Sequence, residues 1–243
     1  MPASDREYPS VWAKPARKER STLSRDQIVR QALDLLDSEG IEALSMRKLA
    51  ARLESGTTSL YWHVANRDEL LELVVNEIYG ELDAPDPAEG VDWRTATRRF
   101  AVSMRSAALR HPWTISVLEH LVAAYPGPNL NAAVERMLGV LESGGFDLPE
   151  AERALGTVSA YVTGIAMGEV AMQNRLARHG QTQEEWLADA VRITEEDTQD
   201  HERLDAVVAG YAGQDPQTVM DDDFDYGLDL ILDGLRSRLD PGS

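Results

Sequence analysis

From residue 24 onwards, the apolar residues of the chain recur with the spacing of amphipathic helices. Ser24 is followed three residues later by Gln27, which is the spacing of a capping box at a helix N-terminus. Ile28 and the apolar positions after it fall on one helical face until Gly40, a typical C-terminal stop. The pattern therefore predicts a first helix between Ser24 and Gly40.

Three further helices are predicted before residue 83. Ser45 caps a short second helix, and the turn at 54–56 separates it from a third short helix over about 57–63. Asn66 and Glu69 then form a cap pair for a long helix over about 67–82. Two short helices joined by a tight turn are typical of a helix-turn-helix, whose second helix enters the major groove of DNA.

The rest of the chain also has helical spacing, and no run of alternating apolar and polar residues suggests a strand. Helices are expected near 92–110, 113–125, 129–143, 149–178, 184–210 and 222–239. The predicted fold class is all-α. It comprises a flexible arm (1–22), a helix-turn-helix domain (23–68) and a larger helical domain (69–243).

Charge changes this picture only when its distribution is considered. The net charge of −18, from 24 basic and 42 acidic residues, argues against a nucleic-acid partner. However, residues 1–67 carry 11 basic and 9 acidic residues, so the arm and the first helices are slightly basic. Such a basic end fits either a DNA or membrane surface or a solvated tail with no partner, and charge alone does not separate these readings.

Composition and motifs narrow the function classes. The chain has no cysteine and its histidines are scattered, so no metal site and no cofactor are predicted. It has no G-x-S-x-G motif and no phosphate-binding glycine motif, so an all-α enzyme is disfavoured. The sequence lacks a signal-peptide pattern and an uninterrupted apolar run of membrane-spanning length. A cytoplasmic protein is expected.

Two segments, SMRKLAARL and SLYWHVANRDELLELVV, resemble the DNA-binding domain of the tetracycline-repressor (TetR) family. AYVTGIAMGEV at 160–170 and FDYGLDLILDGLRSRL at 224–239 are similar to the C-terminal domain of the tetracycline-repressor branch, whereas 179–222 matches little. The family commonly has a glycine and an apolar residue in the turn, where this chain has Glu54 and Ser55. The start of the third helix is therefore uncertain by about one residue.

The resemblance implies a set of DNA contacts. Arg47 would reach a base, and the short polar residues that open the third helix would make base or methyl contacts. The aromatic residues after them would lie along the backbone, with basic residues at the phosphates. The complete set is Arg47, Lys48, Thr57, Thr58, Ser59, Tyr61, Trp62, His63 and Arg67.

The resemblance also implies a homodimer that binds a palindromic DNA operator, with half-sites about one helical turn apart. A small molecule in the C-terminal domain would move the long helix and release the DNA, so the chain is expected to be a repressor. An activator, or an adaptor whose helix-turn-helix binds another partner, remains the alternative.

Candidate effector-binding residues come from the helices that enclose the ligand in the family. They are Phe100, Met104, His111, Trp113, Met137, Tyr161, Met167, Glu169 and Met172, and for each a place in the ordinary core is the alternative. His111 and Glu169 fall where tetracycline-binding members have residues serving a drug-chelated magnesium ion. A structural role is favoured for both, because few surrounding residues match.

A row of small residues, Gly156, Ala160, Gly164 and Gly168, lies on one face of a predicted helix. Small residues allow close approach of another helix. The row fits a dimer interface formed with the last helix, or close packing within one chain.

Overall fold

The computed structural model describes residues 23–117, 127–197, 202–211 and 213–239, so the predicted arm lies outside the described residues. All regular structure in these ranges is helical, as predicted, with two short 3-10 segments at Ile41–Ala43 and Pro87–Glu89. The helices are α1 Arg25–Glu39, α2 Met46–Arg52, α3 Thr57–Tyr61, α4 Arg67–Tyr79, α5 Trp93–Arg110, α6 Trp113–Ser116, α7 Pro128–Ser143, α8 Leu148–His179, α9 Gln183–Asp197, α10 Glu202–Tyr211 and α11 Pro216–Leu239.

The predicted helix starts are confirmed at the level of individual hydrogen bonds. The Ser24 and Gln27 side chains each accept from the other's backbone N–H, at 3.1 and 3.0 Å. Ser45 caps α2 by accepting from the Lys48 amide, and Asn66 caps α4 by accepting from the Glu69 amide at 2.7 Å. These caps satisfy amides that a helix N-terminus leaves without intrahelical partners.

Several helix bounds differ from the prediction. The structure describes two helices, α9 and α10, within the predicted 184–210 segment, and residues 198–201 between them lie outside the described residues. Of the predicted 113–125 helix, α6 covers Trp113–Ser116, and 118–126 also lie outside the described residues. The last helix begins at Pro216 rather than near 222, because proline suits the first helical position and Asp215 accepts from the Thr218 amide at 2.8 Å.

The chain divides into two compact units, Met1–Leu155 and Gly156–Ser243, and the division falls within α8. In the first unit, α1–α4 enclose a hydrophobic cluster in which Ile28, Leu35, Leu49, Leu60 and Leu70 are fully buried. Ala107, Trp113 and Val117 belong to the same cluster. This core therefore includes residues from well beyond 68, and the predicted domain boundary at that position remains a prediction.

Helix α8 is long and apolar enough, by length and composition, to cross a membrane. The sequence pattern did not predict a membrane-spanning helix, because polar residues interrupt its apolar runs. The core helix of a water-soluble protein passes the same test. Val158, Val162 and Val170 of α8 are buried within the protein. One face of α8 is therefore part of the hydrophobic core, while 33% of its most apolar window is buried in all.

Candidate DNA interface and effector-domain residues

Helix α3 is anchored on one side and open on the other. Leu60 and Val64 are buried in the cluster of the first unit, at 0% and 1% exposure. Tyr61 and Trp62 point outwards, with 46% and 67% of their surface exposed. The residues that could read bases, Thr57–Ser59, occupy the first turn of the helix. The helix thus presents short polar residues at its N-terminus and aromatic rings beside them.

The turn before α3 is where the sequence departs from the resembled family. Glu54 has a φ of 49°, in the left-handed region that favours glycine. The Ser55 amide donates to the Ala50 carbonyl at 3.0 Å, which closes the turn. Helix α3 begins at Thr57 after Gly56, at the predicted residue. Glu54 therefore adopts the left-handed conformation in this turn without being a glycine.

The basic residues that are predicted to contact DNA differ in whether they already form ion pairs within the protein. Arg47 is exposed, whereas the Lys48 ammonium forms an ion pair with Glu39, which also accepts from Arg52 at 3.2 Å. The hydrogen bond from Lys48 is the main reason that the pKa of Glu39 lies below its ordinary value. A phosphate contact by Lys48 would compete with its ion pair to Glu39. That ion pair contributes little to stability, because both side chains are exposed to solvent.

Arg67 has a role that the sequence did not predict. Its guanidinium donates through Nε to the Leu44 carbonyl at 3.2 Å and through a terminal nitrogen to the Ile41 carbonyl at 3.1 Å. These bonds tie the start of α4 to the loop before α2. Arg67 can reach a phosphate only with its remaining donors, so that assignment stays a prediction.

Polar contacts also hold the C-terminal end of α4 and the segment after it. The buried Asn76 receives hydrogen bonds from the backbone and side chain of Asn129, whose side-chain amide donates to the Asn76 carbonyl at 2.8 Å. Asp83 forms a two-point ion pair with Arg99, at 2.9 and 2.8 Å. Helix α4 is therefore tied to α7, and the segment after it is tied to α5.

His111 lies between α5 and α6 and contacts α1 and the segment after α4. Its ring is buried and lies between Asp37, 2.8 Å from Nδ1, and Glu81, 3.2 Å from Nε2. The Trp113 indole N–H donates to the same Asp37 oxygen at 2.8 Å. Both residues were predicted to bind the effector. Their polar atoms instead contact α1 and the segment after α4, and the effector role is still a prediction.

The other effector candidates are divided between the units. In the first, Phe100 and Met137 are buried and Met104 is half-buried; in the second, Glu169 is buried, Met172 is half-buried and Met167 is exposed. The remaining candidate, Tyr161, stacks on Phe224 at a centroid distance of 5.9 Å, and its hydroxyl donates to the Phe224 carbonyl at 2.9 Å. Tyr161 therefore joins α8 to α11.

The row of small residues on α8 is open within the chain. A Cβ added at Gly156, Gly164 or Gly168 would meet no atom of the described residues within 4 Å. Close packing among the described residues therefore does not explain these glycines. On α11, Tyr226 and Leu230 are 70% and 58% exposed, four residues apart on one helical face.

Both parts of the chain match known protein families. Residues 28–74 match the bacterial regulatory proteins of the tetR family, and residues 84–239 match the tetracyclin repressor-like C-terminal domain. An HTH-type transcriptional regulator of Saccharopolyspora erythraea is 37% identical over 162 residues, covering 66% of this chain and 67% of its own. The HTH-type transcriptional repressor DrrR1 of Streptomyces coeruleorubidus is 31% identical over 232 residues, covering 92% and 81%. Among solved structures, the chain is similar to the Streptomyces coelicolor TetR family protein ActR in complex with actinorhodin. The two sequences are 30% identical, the TM-score is 0.71, and the match covers 90% of this chain and 99% of ActR.

Proposed function

The chain belongs to the TetR family of transcriptional regulators, as its sequence resemblance indicated, and we propose that it is a homodimeric repressor that binds a palindromic operator through α3. Its relatives are DNA-binding regulators and not enzymes. The observation that carries the proposal is the arrangement of α3, with buried Leu60 and Val64 on one side and exposed Tyr61 and Trp62 on the other. An α-helix held in this way fits the major groove.

The proposed homodimer uses α8 and α11. The open glycine positions of α8 and the exposed Met167, Tyr226 and Leu230 leave apolar surface that a second copy would cover. Symmetric pairing of the same surfaces is the common way in which chains dimerise. Two copies would present two recognition helices to the two halves of a palindrome.

The proposed effector is a polycyclic small molecule that releases the dimer from DNA. Support comes from ActR, which was crystallised with actinorhodin, and from the tetracyclin repressor-like C-terminal domain. Both names refer to molecules with fused rings. We further propose that the protein acts in the cytoplasm, where its operator would be accessible.

DNA binding is tested by fluorescence anisotropy on a labelled fragment from upstream of the chain's own gene, with a scrambled competitor and two salt concentrations. We expect specific binding that weakens steeply with salt, because phosphate contacts release counterions. Arg47→Ala should lose about tenfold in affinity, since a base contact contributes roughly 1–3 kcal/mol. Arg136→Ala, a matched change on the exposed face of α7, should bind as the wild type does. Equal affinity for the fragment and the scrambled DNA would contradict the proposal.

The effector class is tested with tetracycline and actinorhodin as probes, each titrated into the protein–DNA complex. A fall in anisotropy that saturates with probe concentration supports release by a polycyclic ligand. If neither probe changes the anisotropy, the effector class is rejected while DNA binding stands. Transcription in vitro from the same fragment separates repression from activation by the direction of the change.

A further inference from the structure

We propose that His111 is a positioning residue that holds α1 against the segment after α4, and so sets how well the dimer fits both halves of its operator. The inference rests on the proposed function, because it concerns the regulation of operator binding. In this role, His111 connects the DNA-binding helices to the rest of the first unit.

The imidazole of His111 bridges two carboxylates that are far apart in sequence. Asp37 belongs to the last turn of α1, and Glu81 follows the end of α4. Nδ1 lies 2.8 Å from Asp37 Oδ1 and Nε2 lies 3.2 Å from Glu81 Oε1. Each ring nitrogen is therefore within hydrogen-bond distance of a carboxylate oxygen. Such charge-assisted hydrogen bonds are stronger than neutral ones.

Neighbours of His111 reinforce both ends of the bridge. The Trp113 indole donates to Asp37 Oδ1 at 2.8 Å, and Arg110 donates to the second oxygen of Glu81 at 2.6 Å. We call the segment Arg110–Trp113 the 110–113 clamp. The His111 side chain is only 7% exposed, so loss of its partners costs more than loss of a surface ion pair.

The clamp acts on the orientation of the helix-turn-helix because α1 is part of its core. Buried Ile28 and Leu35 of α1 lie in one cluster with Leu49 of α2 and Leu60 of α3. A dimer must present two such domains at a separation of about 34–36 Å to occupy two half-sites. A looser α1 samples more orientations, and this freedom is lost when both half-sites are filled. Binding to a single half-site imposes no such requirement.

The first test compares the affinity for a full palindrome with the affinity for a single half-site. Asp37→Ala removes the acceptor of both His111 and Trp113, whereas Asp37→Asn keeps an oxygen acceptor without the charge. We expect the ratio of full-site to half-site affinity to fall about tenfold in Asp37→Ala and less in Asp37→Asn. Asp83→Asn is the matched control: it breaks the ion pair with Arg99 but leaves α1 untouched.

Two results would overturn the proposal. An equal loss of affinity for both DNAs would mean that the substitution damages the domain and does not loosen its placement. An unchanged ratio in both Asp37 variants would mean that the clamp does not position α1. Thermal melts identify a variant that fails to fold, and Asp37→Asn then carries the test.

A second test needs no DNA. Because the chain has no cysteine, spin labels can be placed at Glu42→Cys and Glu135→Cys, both exposed in the first unit. Labelled chains are diluted with unlabelled protein, so that electron–electron distances within one chain are measured. Asp37→Ala should broaden the distance distribution, and an unchanged width would refute the clamp. If the wild type binds no DNA, the proposed function fails, whereas a broadened distribution still supports the clamp.

Discussion

The helix-turn-helix region and the second unit both expose large hydrophobic side chains, but of different kinds. Among residues 23–80, the exposed ones are Tyr61 and Trp62, aromatic rings with a polar atom. The described residues of the second unit expose Met167, Leu204, Val207 and Leu230, which have no hydrogen-bonding N–H or O–H group, and also Tyr226. A ring with a polar tip suits a hydrogen-bonding partner, whereas an aliphatic patch is stabilised by another apolar surface.

The two regions therefore differ in how their hydrophobic side chains are covered. The hydrophobic cluster of the first unit buries its aliphatic residues within one chain. The α8 and α11 faces leave apolar surface that a second chain would bury. The chain is therefore expected to have one region that folds around its own core and one that is completed by dimerisation.

The largest effect is expected when a charged residue is placed on the exposed face of α11. Leu230→Glu would bury an unpaired carboxylate in the proposed interface, which is strongly unfavourable. We expect monomers in size-exclusion chromatography with light scattering, and about a 100-fold loss of affinity for the full operator, because the two linked contacts become independent. Leu204→Glu adds the same charge on α10, where Leu204 is 47% exposed, and should leave a dimer. A dimeric Leu230→Glu protein would place the interface elsewhere.

The self-contained character of the first region is tested at Leu60. This side chain is fully buried, so Leu60→Ala should reduce the free energy of unfolding by about 2–5 kcal/mol in urea titrations. Thr58→Ala, on the exposed side of α3, should change stability by less than about 0.5 kcal/mol but weaken DNA binding. If the two variants lost stability equally, α3 would not be anchored through Leu60.

A smaller effect is expected within the second unit at Tyr161. Tyr161→Phe keeps the ring that stacks on Phe224 but removes the hydroxyl that donates to its carbonyl. The expected loss is about 0.5–1.5 kcal/mol in the free energy of unfolding. Tyr61→Phe serves as the control, because Tyr61 is 46% exposed and lies outside the proposed dimer interface. A change of similar size in the control would argue against the interhelical bond.

The smallest effect concerns the exposed cap of α5. Hydrogen bonds from Thr95, first from its side chain and then from its amide, hold the pKa of Asp92 below its ordinary value of 3.8. The charged cap therefore stabilises the fold above that pH, and this contribution is lost as the pH falls through the folded-state pKa. The melting temperatures of Asp92→Asn and the wild type should differ slightly at pH 6, and the difference should shrink as the pH falls below 3.8. A constant difference would mean that the charge of Asp92 is not its cause.

The features that the sequence predicts well are local. The Ser24–Gln27 and Asn66–Glu69 caps depend on residues three positions apart, so their spacing alone identifies them. The start of α3 at Thr57 was also predicted, although Glu54 takes the backbone conformation that usually calls for glycine. Local hydrogen bonding and apolar periodicity suffice for these features.

The features that the sequence did not predict join distant residues. Asp37 and His111 are 74 positions apart, and no spacing rule connects them. Arg67 was assigned to a phosphate because resemblance carries over residue types but not their partners within this chain. Its bonds to the Ile41 and Leu44 carbonyls depend on how α4 meets the preceding loop. Such contacts follow from tertiary packing.

Helix α3 has only five residues, and its N-cap, Gly56, supplies no side-chain hydrogen bond. A helix of this length is not stable in isolation. Its order comes from Leu60 and the surrounding core, while Thr58, the middle residue of its polar first turn, is exposed to solvent. The residues that would choose the DNA sequence are therefore separate from the one that maintains the fold. If α3 reads DNA as proposed, substitutions in its first turn are expected to change the preferred operator with little loss of stability.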